Sequence, residues 1–236
     1  MTQPSLRVEG FSKRFGDIVA LDGASFSASP GELLGIIGPN GAGKSTLFEC
    51  VAGVLPHEAG TVSLDGVPVG VAARKDTLFF LPDGVQPWPD QRVGWVLEFV
   101  EGLFCSKQGA RDDVIDALAL APLLGKRVGA LSKGQRKRVS VALALVTPLP
   151  YLLLDEPFDG LDLRQSREVE LVLRANAKAG RALCLSIHQL ADAARLCDRL
   201  ALLSAGRTVG EGTLDELRSK AGLAQGNMEE VFLALT

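Results

Sequence analysis

The segment Gly38-Pro39-Asn40-Gly41-Ala42-Gly43-Lys44-Ser45-Thr46 carries the pattern G-x-x-x-x-G-K-[ST]. Its glycines let the backbone bend until successive N–H groups point inward at phosphate oxygens, and a following helix adds the positive end of its dipole. Lys44 then offers a charge to β- and γ-phosphates, and Ser45 a hydroxyl to a magnesium ion that bridges their oxygens. A second group closes the run Tyr151-Leu152-Leu153-Leu154-Asp155-Glu156-Pro157. Side chains alternate along a strand, so Asp155 and Glu156 are expected to diverge. Asp155 suits Mg2+ held through its water shell, and Glu156 suits a water polarised for in-line attack on a γ-phosphate.

These groups need a sheet to hold them. Short aliphatic and β-branched runs at 33–37, 61–64, 78–81, 151–154, 182–187 and 200–203 read as strands buried on both faces. Helical spacing falls between several of them, as over 163–177, where Val169, Val172 and Leu173 share one face. Alternating strand and helix imply an α/β fold with a parallel or mixed sheet. From about 83 to 146 the pattern is turn, helix, helix and helix, which reads as a helical subdomain inserted into a single domain spanning 1–236. Gly206 is expected at a hairpin turn near the end, followed by a short terminal helix.

Composition narrows the function classes. The chain has 236 residues, 47% hydrophobic, and a net charge of −3 from 25 basic and 28 acidic side chains. That balance argues against broad neutralisation of nucleic-acid phosphates. Four cysteines without a CxxC spacing and only two histidines give neither a disulfide framework nor a structural zinc site. No secretory leader is visible in MTQPSLRVEGFSKRF, and the apolar region 139–154 is broken by Pro148 and Pro150. The expectation is a cytoplasmic chain that does not itself cross a bilayer.

Three further strings complete a pattern. Leu131-Ser132-Lys133-Gly134-Gln135 precedes Asp155, Phe158-Asp159-Gly160-Leu161-Asp162 follows Glu156, and His188 ends the next strand. In this order they resemble the signature motif, D-loop and switch histidine of an ABC (ATP-binding cassette) ATPase of the stand-alone exporter type. The resemblance covers essentially the whole chain. It implies that Phe15 stacks on adenine and that residues 38–46 wrap the phosphates of ATP. It also implies that Ser132, Lys133, Gly134, Gln135 and Asp159 meet nucleotide across a head-to-tail dimer. Glu156, His188 and Lys44 become the catalytic set, and Ser45, Asp155 and Asp83 the Mg2+ ligands.

Two positions depart from the family pattern. Lys133 stands where glycine is commonest, placing an extra positive charge near the partner's nucleotide. Asp83 stands where the family usually has glutamine; a carboxylate there binds Mg2+ more strongly but repels the γ-phosphate, and Gln86 is the alternative at this position. Trp88, between Pro87 and Pro89, lies where the family receives a cytoplasmic helix of a membrane subunit, with Trp95, Phe99 and Phe104 on the following helix. Phe99 is expected in the subdomain core, while Trp88 is open between core and docking surface.

The function implied is the ATP-hydrolysing subunit of a transporter, acting through separate permease subunits on the inner face of the cell membrane, with export preferred. It works as a homo- or heterodimer and without nucleic acid. The alternative is a soluble ABC ATPase with a non-transport target.

Overall fold

Five parallel strands with mostly aliphatic sequences form the centre of the fold: Leu33–Ile37 (β3), Leu78–Leu81 (β6), Tyr151–Asp155 (β7), Ala182–Ile187 (β8) and Arg199–Ser204 (β9). Arg207–Gly212 (β10) adds antiparallel to β9, giving the order β10-β9-β3-β8-β7-β6. The computed structural model describes residues 5–105, 109–223 and 225–236, without the Ala110 side chain. The leader reading of the sequence therefore reaches into residues 1–4, outside the described residues.

Alternation along these strands feeds two cores. Leu33, Ile37, Leu152, Leu154, Leu183 and Leu185 face one, shared with several helices. Leu34, Ile36, Tyr151, Leu153 and Cys184 face the other. The second core is closed by an antiparallel sheet of Leu6–Phe15 (β1), Ile18–Ala28 (β2), Ala59–Leu64 (β4) and Val67–Pro68 (β5), in the order β2-β1-β4-β5. Leu6, Val8, Phe11 and Phe26 point into it.

The expected strand at 61–64 thus belongs to an antiparallel sheet, and Thr61 is exposed, so it is not buried on both faces. A short β-branched run specifies extension but not the direction of its neighbour. Strands β1, β2 and β5 were not anticipated, whereas β10 is the return strand of the hairpin expected at Gly206. The charges of Arg7, Glu9, Lys13 and Arg14 sit among the apolar positions of β1 and obscure its alternation.

Lys44–Ala52 (α1) follows β3, and Leu163–Lys178 (α6) lays Val169 and Leu173 onto the sheet as its spacing requires. Val93–Leu103 (α3), Ala110–Ala117 (α4) and Lys133–Val146 (α5) pack on one another in the stretch read as helical. A two-residue turn at Ala205 (φ 46) and Gly206 (φ 76) joins β9 to β10, and the remaining helices are Val71–Arg74 (α2), Leu190–Leu196 (α7), Leu214–Lys220 (α8) and, last, Met228–Leu235 (α9). Among the described residues no helix is long and apolar enough to cross a membrane.

The pairing places four strand ends together. Ile37 aligns with Ile187, Leu81 with Leu154 and Asp155 with Ser186. The segments beginning at Gly38, Pro82, Glu156 and His188 therefore all leave the same edge of the parallel sheet, where open α/β sheets bind ligands.

Candidate functional site

Glycine is required where the phosphate loop touches its walls. A Cβ on Gly38 would lie 2.1 Å from the Leu203 carbonyl oxygen, and one on Gly43, at φ 103, 2.7 Å from that of Ala20. The loop is fastened from behind by the Gly206 N–H, which donates to the Ala42 carbonyl at 3.0 Å. Gly43 caps α1 without a side-chain hydrogen bond, so the first-turn N–H groups of that helix stay available to an anion. Lys44 is buried and donates to the carbonyls of Gly38 (2.9 Å) and Pro39 (3.2 Å). Burial lowers its pKa, opposed by the charges of Glu156 and Asp155. Pro39, Asn40, Gly41 and Ser45 are exposed, and Thr46 is half-buried. An open helix N-terminus, a cradle that admits no Cβ and a lysine held only by carbonyls fit a polyphosphate.

Asp155 is 3% exposed and accepts a hydrogen bond from the Ser186 hydroxyl. That same oxygen accepts the Glu156 N–H at 2.9 Å. Glu156 adopts φ 47, a left-handed conformation that costs a non-glycine residue about 1–2 kcal/mol. The two carboxylates diverge because the chain turns at Glu156, just past the end of β7, and not through strand pleating alone. Glu156 Oε2 lies 2.8 Å from His188 Nδ1. Its carbonyl accepts from the Asp159 N–H (3.1 Å) and from Lys137 Nζ (2.9 Å). A buried carboxylate beside the exposed Ser45 hydroxyl's helix is a donor set of hard oxygens, as Mg2+ requires.

Lys137 Nζ also lies 2.7 Å from Asp83 Oδ1. Asp83 and Gln86 both line a cavity of about 310 Å³ with Lys133, Lys137 and Asp159. Ser132 is the N-cap of α5. Its hydroxyl accepts from the Gln135 N–H (3.3 Å), and the Gln135 side-chain oxygen accepts from the Ser132 N–H (3.2 Å). Lys133 Nζ lies 2.8 Å from Asp159 Oδ2, which holds the Asp159 carboxyl below its ordinary pKa and raises that of Lys133. A Cβ on Gly134 would meet Gln165 Oε1 at 2.4 Å and the Gly160 carbonyl at 3.1 Å. The signature and D-loop segments are thus packed on each other within one chain. Among the described residues no hydrogen bond or ion pair joins Ser132, Lys133, Gly134 or Gln135 to residues 38–46.

Phe15 ends β1, about half exposed, with Lys13 Nζ 5.2 Å from its ring centre. Phe99 does not enter the subdomain core as expected. It is 41% exposed, stacked on Trp95 at 5.2 Å and edge-on to Trp88 at 5.2 Å. Heptad-like spacing places it on the rim of α3, beside Leu103, and the core is filled instead by Val96, Leu97 and Val100. Phe104 packs edge-on against Phe79, and both lie against the hydrophobic core.

Two residues were missed by sequence reasoning. Ser186, the one hydroxyl in ALCLSI, links Asp155 to Glu156. Lys137 lies one helical turn after Lys133, a spacing that puts both at one end of α5.

The sequence matches the ABC transporter family over residues 21–159. It is 38% identical over 206 residues to a Nod factor export ATP-binding protein of Burkholderia orbicola (strain AU 1054), covering 85% of this chain and 68% of that one. It is 33% identical over 228 residues to a daunorubicin resistance ATP-binding protein of Streptomyces coeruleorubidus, covering 94% and 72%. The fold superposes on a solved ATP-binding subunit of an ABC transporter with a TM-score of 0.89 at 25% identity, over 98% of each chain. The phosphate loop, the buried carboxylate and the Glu156–His188 pair at one sheet edge therefore belong to an ATP-binding subunit, and the chain is a member of the ABC transporter family.

Proposed function

We propose that this chain hydrolyses ATP to drive export through separate membrane-spanning subunits. The observation that carries the reading is Glu156 Oε2 at 2.8 Å from His188 Nδ1, at the strand end next to Asp155. Residues 38–46 bind the phosphates, and Lys44 exchanges its carbonyl partners for β- and γ-phosphate oxygens. Ser45 and Asp155 would hold Mg2+, which when bound supplies charge to the β- and γ-oxygens. Glu156 accepts a proton from the attacking water, and His188 orients the Glu156 carboxylate.

The Ser132–Gln135 cap and Asp159 have no polar link to their own phosphate loop, which supports their use on the nucleotide of a second copy in a head-to-tail dimer. Phe15 offers a π-face to adenine. Trp88, Trp95, Phe99 and Leu103 form an exposed apolar patch that supports docking of a permease helix at the inner face of the membrane. The names of relatives used in Nod factor export and daunorubicin resistance support the outward direction.

The test is mass spectrometry of what co-purifies with tagged Glu156→Gln from detergent-solubilised cells supplied with MgATP. A stoichiometric multi-span protein is expected. Ribosomal, DNA-bound or solely soluble partners would replace the transporter reading with that of a soluble ABC ATPase.

A further inference from the structure

We infer that Lys137 is a positioning residue, and that Asp83 serves as its counter-ion instead of as a magnesium ligand. The inference rests on the proposed role of Glu156. Lys137 is buried on α5, with its side chain 10% exposed, and its ammonium reaches two groups from different strand ends. One is Asp83 Oδ1 at 2.7 Å, two residues beyond β6. The other is the Glu156 carbonyl at 2.9 Å, one residue beyond β7.

That carbonyl belongs to the residue held at φ 47, and the turn it starts places Asp159 as well. An ammonium aimed at it opposes the tendency of the peptide to relax out of the left-handed region. Lys137 brings a charge into a mostly dry position, and Asp83 supplies the opposite one. The pair also removes the objection to a carboxylate at position 83: with an ammonium 2.7 Å away, Asp83 presents little net charge to a γ-phosphate. Lys137 therefore ties the Glu156 carbonyl itself to α5, beside the contact that Lys133 of the same helix makes with Asp159 further along the turn.

The full chain tests this without nucleotide. Amide hydrogen exchange over residues 152–163 is compared in wild type, Lys137→Met, Lys137→Arg, Asp83→Asn and the Asp83→Asn/Lys137→Met double variant. Lys137→Met is expected to speed exchange there at least about threefold, and the double variant no further, because both substitutions act through one contact. Lys137→Arg is expected to stay within about twofold of wild type, since a guanidinium also donates to both oxygens. In ATP turnover, Lys137→Met is expected to lower kcat about tenfold with KM within about twofold. Asp83→Asn, in an exposed loop, should fold even where Lys137→Met does not, and is expected to speed the same exchange about twofold.

Unchanged exchange over 152–163 in Lys137→Met and Asp83→Asn, or effects that multiply in the double variant, would overturn the inference. Wild-type turnover in Glu156→Gln would instead sink the parent reading while leaving the nucleotide-free exchange result intact.

Discussion

The imidazole of His188 and the carboxylate of Glu156 meet at 2.8 Å across the ends of two adjacent parallel strands, β8 and β7. An ionised carboxylate only accepts, so against one the bond takes Nδ1–H as its donor. Glu156→Gln should still bind MgATP while kcat falls by about 10²–10⁴, the span of a lost general base. Equilibrium binding and steady-state hydrolysis together check this; wild-type turnover would take Glu156 out of the chemistry.

Among the described residues Lys44 has only carbonyl oxygens as hydrogen-bond partners, and these are weaker attractions for an ammonium than phosphate. Lys44→Ala is expected to weaken nucleotide binding roughly 10–100-fold, the worth of a charged hydrogen bond. Calorimetric titration with ATP reads it directly, and an affinity equal to wild type would contradict the assignment.

The Lys133–Asp159 contact carries a pH signature. The Asp159 pKa is lowered in the fold, chiefly by its hydrogen bond to Lys133. The native state therefore holds fewer protons than the unfolded chain around the folded pKa, and stability falls as acid reprotonates the carboxylate. The benefit is complete above the ordinary aspartate value and lost below the folded one. Carboxyl NMR titration should find Asp159 below the usual aspartate range, and Lys133→Met should bring it back up. No movement on removing Lys133 would mean that the contact is absent in solution.

Among the described residues Arg181 has no carboxylate partner. It donates to the carbonyls of Ala144, Leu145 and Leu149, to Thr147 Oγ1 and to Asn176 Oδ1, and burial pulls its pKa down to about 10. It closes the C-terminal end of α5, where a cation also meets the negative end of the helix dipole. Arg181→Met leaves those carbonyls without a donor and is expected to cost about 2–4 kcal/mol. Thermal unfolding should show it as a midpoint lowered by roughly 5–15 °C; a loss under 1 °C would show that water replaces the guanidinium freely.

If the proposed docking at this patch holds, Trp88→Ala is expected to release the membrane subunit while leaving ATP binding intact, because Trp88 packs on Trp95 and Phe99 at an exposed surface and is not one of the residues assigned to nucleotide. Co-purification with the membrane subunits measures it, and unchanged capture would remove this patch from the interface.

What could be read from sequence was what depends on short spacing. The phosphate loop, the Leu131–Gln135 segment that opens a helix, the apolar strands and the paired acids each occupy a few consecutive residues. The antiparallel sheet was hidden because charges interrupt β1, and the direction of β4 is set by its neighbour. The left-handed turn at Glu156 and the reach of Lys137 to Asp83 arise from pairing between distant strands, which no local pattern encodes. Phe99 was misplaced because an aromatic at helical spacing fits the rim of a small helix bundle as readily as its centre.

The contact between Gly206 and the phosphate loop has a consequence for how the chain is made. Ala42 is held by the Gly206 N–H, and the Gly206 carbonyl in turn accepts from the Asp22 N–H at 2.9 Å. The loop is written early and its buttress late, so a ribosome emits the whole of the helical segment and most of the central sheet before that buttress exists. At about 5–20 residues per second, roughly ten seconds or more pass in which the nascent glycine loop lacks its final support. The glycine loop therefore reaches its final hydrogen bonding only after the β9–β10 turn has been made, so a segment near the start of the described chain is completed by one made about 160 residues later.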